Sequence, residues 1–248
     1  MHTYVVFGAA KPGIGQAITK RLLSDGATVV GTYSEDCSEA ALKLKEEHAD
    51  LTLALVDHLS VSSLKVFTDS LPARVDGVVI AQMYFDIRDA FELAESEWNT
   101  SLAINITLPH FAAVKIGPRI RPGGCLVTIT STEGFIGSFG AAGYAASKAA
   151  VHNLVKTHAN VLGPSNVRVN AIAAGWIGGV MDTDEVFNMS RRITPLGRLG
   201  APEEIAGVTS FLLGPDASFV TGATIVADGG YTCVDTIAKY EYEVMKKS

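Results

Sequence analysis

The chain has 248 residues, 48% of them apolar and 19% charged, and carries a net charge of −6 at neutral pH. That length and apolar content suffice to bury one substantial α/β core and exclude a disordered chain. The negative balance without a basic run excludes nucleic acid and anionic membrane surfaces as main partners.

Short β-rich apolar runs alternate with longer stretches of helical period, the pattern of βαβ units around a parallel sheet covered on both faces. Strands are predicted near Tyr4–Ala9, Thr28–Tyr33, Leu51–Asp57, Gly77–Ala81, Cys125–Ser131, Val167–Ala173 and Ala223–Ala227. Helices are predicted over Ile14–Leu23, with Gly26 just past its end, and over Glu39–His48, Val61–Leu71, Glu95–Ile116, Tyr144–Leu162 and Glu203–Leu213. No repeat, linker or composition shift divides the chain, so residues 1–230 are expected to form one domain and residues 231–248 a tail.

The uncharged stretch Gly134–Ser147 is too short and too rich in Gly and Ala to span a membrane, and Met-His-Thr-Tyr-Val-Val-Phe at the start has no basic region before its apolar run. A cytoplasmic location is the expectation. Cys37, Cys125 and Cys233 are odd in number and lack Cys-x-x-Cys spacing, which fits a reducing compartment and neither a disulfide framework nor a zinc site.

Two places carry chemistry. Gly13-Ile-Gly15 lies where the first strand gives way to a helix, so outward amides and the helix dipole can receive a pyrophosphate if side chains leave room. Further on, Ser131 closes the fifth strand and Tyr144-Ala-Ala-Ser-Lys148 follows thirteen residues later. A phenol with an ordinary pKa of about 10 is a poor proton donor or acceptor near neutrality, and a lysine four residues on along a helix is placed to lower that value. The same spacing recurs at Tyr242-Glu-Val-Met-Lys246, but position 229, thirteen before Tyr242, is a glycine with no hydroxyl. The functional pair is therefore Tyr144 and Lys148.

With these residues the chain resembles the short-chain dehydrogenase/reductase family over about residues 3–230, and within it the 3-oxoacyl-carrier-protein reductase-like branch. Further matches are Asn105 after Trp98, Asn170-Ala-Ile-Ala-Ala-Gly-Trp176, Pro195-Leu-Gly-Arg-Leu-Gly-Ala-Pro-Glu-Glu-Ile205, Phe219-Val-Thr-Gly222 and Asp228-Gly-Gly230. The resemblance implies a Rossmann-type doubly wound parallel sheet of about seven strands with helices on both faces. It implies an NAD(P)-dependent oxidoreductase that reduces a ketone, or oxidises a secondary alcohol, of a mainly hydrophobic small molecule. Tyr144 would be the general acid/base, Ser131 would hold the carbonyl oxygen, Lys148 would lower the phenol pKa and bind ribose hydroxyls, and Asn105 would steady a water relay. The cofactor would meet Gly8, Lys11, Gly13, Ile14 and Gly15 in the turn, then Tyr33, Ser34, Asp57, Ala81, Tyr144, Lys148, Gly175 and Ile177. Asp57 is equally readable as the cap of a turn. The ribose position falls on Tyr33 or Ser34, neither acidic, and Lys11 suits a 2′-phosphate although Glu35 and Asp36 oppose one; NADP is expected, with NAD as the alternative. The substrate side would hold Met83, Tyr84, Phe85, Phe135, Phe139, Trp176, Met181 and Phe187, with Arg191 and Arg192 for an anionic tail and Lys115, Arg119 and Arg121 similar to cations of the carrier-protein branch. A homodimer or homotetramer is the implied assembly.

The chain departs from the family in three places: Gly8-Ala9-Ala-Lys-Pro-Gly13 in the turn, Ile80-Ala-Gln-Met83 where Asn-Asn-Ala-Gly is usual, and Ala174 where Pro is usual. The altered stretch at Ile80–Met83 raises an alternative of another class, a catalytically silent dinucleotide-binding sensor or scaffold. A dehalogenase on the same fold would lack the glycine turn and Lys148, and a bacterial enoyl reductase would carry its lysine at Val151.

Overall fold

The computed structural model describes residues 2–87, 91–179 and 182–246. Seven strands form one parallel sheet: β1 (Thr3–Phe7), β2 (Thr28–Tyr33), β3 (Leu51–Leu55), β4 (Val75–Ile80), β5 (Ile120–Ser131), β6 (Arg168–Ala174) and β7 (Thr224–Ala227), in the order β3-β2-β1-β4-β5-β6-β7. Nine helices are described: α1 (Ile14–Ser24), α2 (Ser38–Glu47), α3 (Val61–Ser70), α4 (Glu95–Leu102), α5 (Leu108–Lys115), α6 (Ala142–Leu162), α7 (Asp184–Ile193), α8 (Pro202–Leu213) and α9 (Thr236–Met245). None of them is long and apolar enough to cross a membrane.

The continuous apolar reading of the inner strands has a direct cause. Val5, Val6 and Phe7 are all fully buried, because alternate side chains enter cores on opposite faces. Val6, with Ile18 and Leu22 of α1 and Leu212 of α8, belongs to one core; Val5 and Phe7, with Phe67 of α3, Leu108 of α5 and Val155 of α6, belong to the other. Strand order reverses between β1 and β4, whose register pairs Phe7 with Ile80, and the carboxyl ends of these strands open a crevice there.

The predicted helix over Glu95–Ile116 is interrupted. Pro109 has no N–H and its ring crowds the carbonyl four residues back, so a π-turn over Ala103–Thr107 separates α4 from α5 and carries Asn105 on its inner side. Two further elements are absent from the sequence expectation. Helix α7 starts where the Thr183 hydroxyl accepts the Val186 N–H, and α9 where Asp235 accepts those of Ile237 and Ala238.

The first β–α turn is packed to contact. Gly8 has φ +78°, and a Cβ on Gly15 would lie 2.1 Å from the Gly8 carbonyl oxygen. Because backbone must move to admit it, Gly15→Ala is expected to lower stability by about 2–3 kcal/mol, read from the urea midpoint. An unchanged midpoint would refute this account of the turn.

Candidate active site

The crevice begins at the glycine turn. Gly8 N–H donates to Thr32 Oγ1 at 3.1 Å, Lys11 N–H returns to the Gly8 carbonyl at 3.1 Å, and the Thr19 hydroxyl braces the Ala9 carbonyl at 2.9 Å. Gly8, at φ +78°, makes the sharp turn out of β1, and Ala9 to Pro12 form the loop that follows. Gly13, at φ +89°, precedes α1 without any side-chain cap and the Gln16 N–H bonds the Lys11 carbonyl at 3.0 Å, leaving the Ile14 and Gly15 amides uncapped. They face a cavity of about 370 Å³ lined by Lys11, Gly13, Ile14, Gly15, Ala81, Ser131, Tyr144, Gly175 and Ile177 of the expected set.

Strand β5 delivers Ser131 to the cavity wall, where its Oγ accepts the Glu133 N–H at 3.2 Å and caps a short 3₁₀ turn. Helix α6 delivers Tyr144, and one turn later Lys148, which is 2% exposed with its Nζ 5.2 Å from the phenol ring centroid. Nζ donates to the Ile129 carbonyl at 3.3 Å. Burial pushes the Lys148 amine down to about 7. It also pushes the Tyr144 phenol up to about 12, against a lowering hydrogen bond with Ser131 and with a small push from the Glu133 charge. The expected depression of the phenol by Lys148 is therefore not found: desolvation dominates, and the amine lies over the ring instead of at the oxygen. The phenol hydroxyl faces Met83 Sδ at 3.9 Å, and the Phe85 ring packs edge-on at 4.9 Å between centroids.

Asn105 stands behind this cluster. Its Oδ1 accepts the Tyr84 N–H at 3.0 Å, while Nδ2 donates to the Tyr84 carbonyl at 2.9 Å and to Ser101 Oγ at 3.2 Å. The amide is thus committed to the β4–α4 segment at Tyr84 and to α4 at Ser101.

Other expected residues have structural partners. Asp57 Oδ1 accepts the Leu59 N–H at 3.0 Å and caps a turn; the Ser34 hydroxyl donates to Asp36 at 2.5 Å; Tyr33 packs against the core. Lys11 Nζ reaches the Met83 carbonyl at 3.3 Å. Of the expected substrate lining, Met83, Phe85, Phe139 and Trp176 meet the cavity, Tyr84 faces a smaller pocket beside Asp86 and Gly143, and the Phe135 ring packs tilted against His152. Phe187, Arg191 and Arg192 belong to α7, outside the cavity wall, and Met181 lies outside the described residues. The cations likened to the carrier-protein branch are not a cluster: Lys115 is exposed on α5, Arg119 caps the carbonyls of Thr68, Leu71 and Pro72, and Arg121 pairs with Asp76. Glu133 and Tyr231 line the cavity without having been expected there. Glu133 had a legible signal, a carboxylate two residues beyond the strand-closing serine; burial raises its pKa, and its Oε2 is buried with no hydrogen-bond partner among the described residues.

The buried amine fixes a pH dependence. The unfolded chain protonates Lys148 below 10.5 and the folded chain only below about 7. Between these values the unfolded state holds more protons, so this group makes stability rise with pH and leaves its full penalty below the window. Lys148→Met should gain on the parent by about 1.4 kcal/mol per pH unit as pH falls from 9 to 7. Parallel stability curves across that range would contradict the buried amine.

Comparison with known proteins agrees with this geometry. The family model described as Enoyl-(Acyl carrier protein) reductase matches residues 8–232; at the position where an enoyl reductase would keep its lysine, this chain has the buried Val151. The chain is 33% identical over 237 residues to the 3-oxoacyl-[acyl-carrier-protein] reductase of Vibrio harveyi, covering 91% of this chain and 95% of the relative. It is similar to the crystal structure of BdcA in complex with NADPH, with a TM-score of 0.86 at 30% identity over 92% of this chain and 93% of that one. A short-chain dehydrogenase/reductase from Serratia marcescens superposes with a TM-score of 0.87 at 30% identity, covering 93% and 98%. A seven-stranded doubly wound sheet, a bare helix start at its switch point and Ser131, Tyr144 and Lys148 gathered beneath it thus have the family context they imply: the chain belongs to the short-chain dehydrogenase/reductase family of oxidoreductases, in its 3-oxoacyl-carrier-protein reductase-like branch.

Proposed function

We propose that the chain is an NADP-dependent ketoreductase acting on a mainly hydrophobic small molecule, with Tyr144 as general acid/base. The observation that carries this reading is one cavity whose wall includes the uncapped start of α1, the Ser131 hydroxyl and the Tyr144 phenol, between apolar Met83, Phe85, Ile136, Phe139 and Trp176. The residues present fit a dinucleotide. Positive φ at Gly8 and Gly13 keeps the turn open, and the uncapped amides of α1 suit a pyrophosphate. The NADPH held by BdcA, a relative of nearly the same length, favours the phosphorylated dinucleotide. When bound, the cofactor supplies the hydride.

The chain's own residues supply the rest. Ser131 and Tyr144 donate to the carbonyl oxygen, and Tyr144 delivers its proton as negative charge develops there. Burial keeps the phenol protonated at neutral pH, the form needed for reduction. Lys148 lies one helical turn away with its Nζ 5.2 Å from the phenol ring centroid, so in its protonated form its charge would steady the phenolate left once the phenol proton has gone to the carbonyl oxygen. Asn105 is a positioning residue, holding Tyr84 so that Met83 and Phe85 flank the phenol.

Tyr144→Phe should lower turnover with NADPH by at least about 10²-fold while NADPH binding becomes no more than about twofold weaker than in the parent. Retention of more than about a tenth of the rate would remove Tyr144 from the mechanism. NADPH should bind more tightly than NADH in a direct titration, and equal or tighter NADH binding would reverse the cofactor assignment. A panel of ketones, keto-acyl thioesters and cyclic enones, followed at the nicotinamide absorbance, identifies the substrate class; saturable NADPH binding without oxidation on any of them would favour the sensor instead.

A further inference from the structure

In a carbonyl reduction the proton goes to oxygen and the hydride to the carbon about 1.2 Å away. The hydride donor must therefore come within a few ångströms of Tyr144 Oη, on the side that communicates with the glycine turn. In this chain that side is held by Met83. Its Sδ accepts the Tyr144 hydroxyl at 3.9 Å, its carbonyl accepts Lys11 Nζ of the turn at 3.3 Å, and it lines the same cavity as Lys11, Gly13 and Ile14.

The main chain around it is fixed. Tyr84 is held through both its N–H and its carbonyl by Asn105, and Gln82 abuts Gly8 so closely that a Cβ there would lie 2.9 Å from the Gln82 nitrogen. What remains free to turn is the Met83 side chain, unbranched and adaptable, held to the phenol by a weak thioether hydrogen bond. A segment rigid at its backbone and soft at one side chain, placed between the phosphate-binding turn and the proton donor, is suited to yielding locally while the surrounding cleft stays in place.

We propose that Met83 is a displaceable wedge at the nicotinamide end of the cavity: its side chain closes against Tyr144 and swings aside as the dinucleotide enters, so that it weakens binding of the complete dinucleotide and leaves binding of the adenosine portion unaffected. The proposal rests on the NADP reading above. A closed state that must open before binding lowers apparent affinity by the fraction of molecules that are open.

The test is a calorimetric titration of the whole chain with NADPH and, separately, with adenosine 2′,5′-bisphosphate, which lacks the nicotinamide half. Met83→Gly and Met83→Ala should each tighten NADPH binding by about tenfold, the factor given by losing one weak hydrogen bond and its packing, with bisphosphate affinity within about twofold of the parent. Met83→Leu, of similar bulk, should keep a wedge and bind both ligands within about threefold of the parent. The Ala variant guards against extra backbone freedom in the Gly variant. If the parent binds NADPH and the ratio of the two affinities does not move in Met83→Gly or Met83→Ala, the wedge is overturned and the cofactor reading stands. If neither the parent nor the variants bind either ligand, both are overturned.

Discussion

Desolvation of one phenol and one amine is the constraint on which this site turns. Tyr144 and Lys148 lie one helical turn apart at 9% and 2% exposure, and burial acts oppositely on them, holding the proton on the phenol and loosening it from the amine. Neither group is then fully charged near neutrality, which a buried pair beside an apolar cavity requires. The contrast within the chain is instructive. Lys246 lies over the Tyr242 ring at 4.7 Å, closer than Lys148 lies to Tyr144, so spacing alone produces the contact in both helices. Tyr242 is largely exposed near the end of α9, whereas α6 buries its pair, with Lys148 bonded to the Ile129 carbonyl of β5. Environment turns a common helical spacing into acid–base chemistry.

That environment follows from the sheet. Seven parallel strands, the inner ones buried on both faces, make the floor, and the reversal of order between β1 and β4 splits its rim. Short connections then bring three distant segments to the same place: the turn after β1, the segment after β4 and the end of β5. Close approach is part of the design at Gly8 and Gly15, where a side chain would strike backbone. The Thr32 hydroxyl accepts the Gly8 N–H and lies 2.9 Å from His58 Nε2, whose ring is kept neutral by a pKa pushed down to about 4. A neutral ring at that point can accept the hydroxyl proton and leave both turn and strand without a buried cation.

Much of this was legible before any coordinates. Strands whose two faces are both buried read as continuous apolar runs, and all seven appear within a few residues of the expected places, because periodicity reports burial directly. Ser131, Tyr144 and the glycine turn were legible for the same kind of reason: their spacing is fixed by local geometry. Partnership across the fold was not. Lys11 is a cation in a turn, and nothing local says that it reaches a carbonyl seventy-two residues away. Lys115, Arg119 and Arg121 are close in sequence yet serve a surface, a helix end and a carboxylate. The direction of the Tyr144 shift was missed because spacing gives the neighbour of a phenol but not the amount of water around it.

The β4–α4 segment is where this chain leaves the family pattern, and the structure accounts for how the departure is accommodated. Larger residues at Gln82 and Met83 cannot lie as close to the cleft floor as Ala and Gly would, and Gln82 Oε1 is left buried without a partner among the described residues. Asn105 grips the next residue, Tyr84, at both backbone groups. The grip depends on the π-turn that Pro109 forces into the α4–α5 junction, which turns the Asn105 amide inward. A break inside what the sequence alone reads as one long helix is therefore what fixes the residue next to Met83 and holds the wall that borders the phenol.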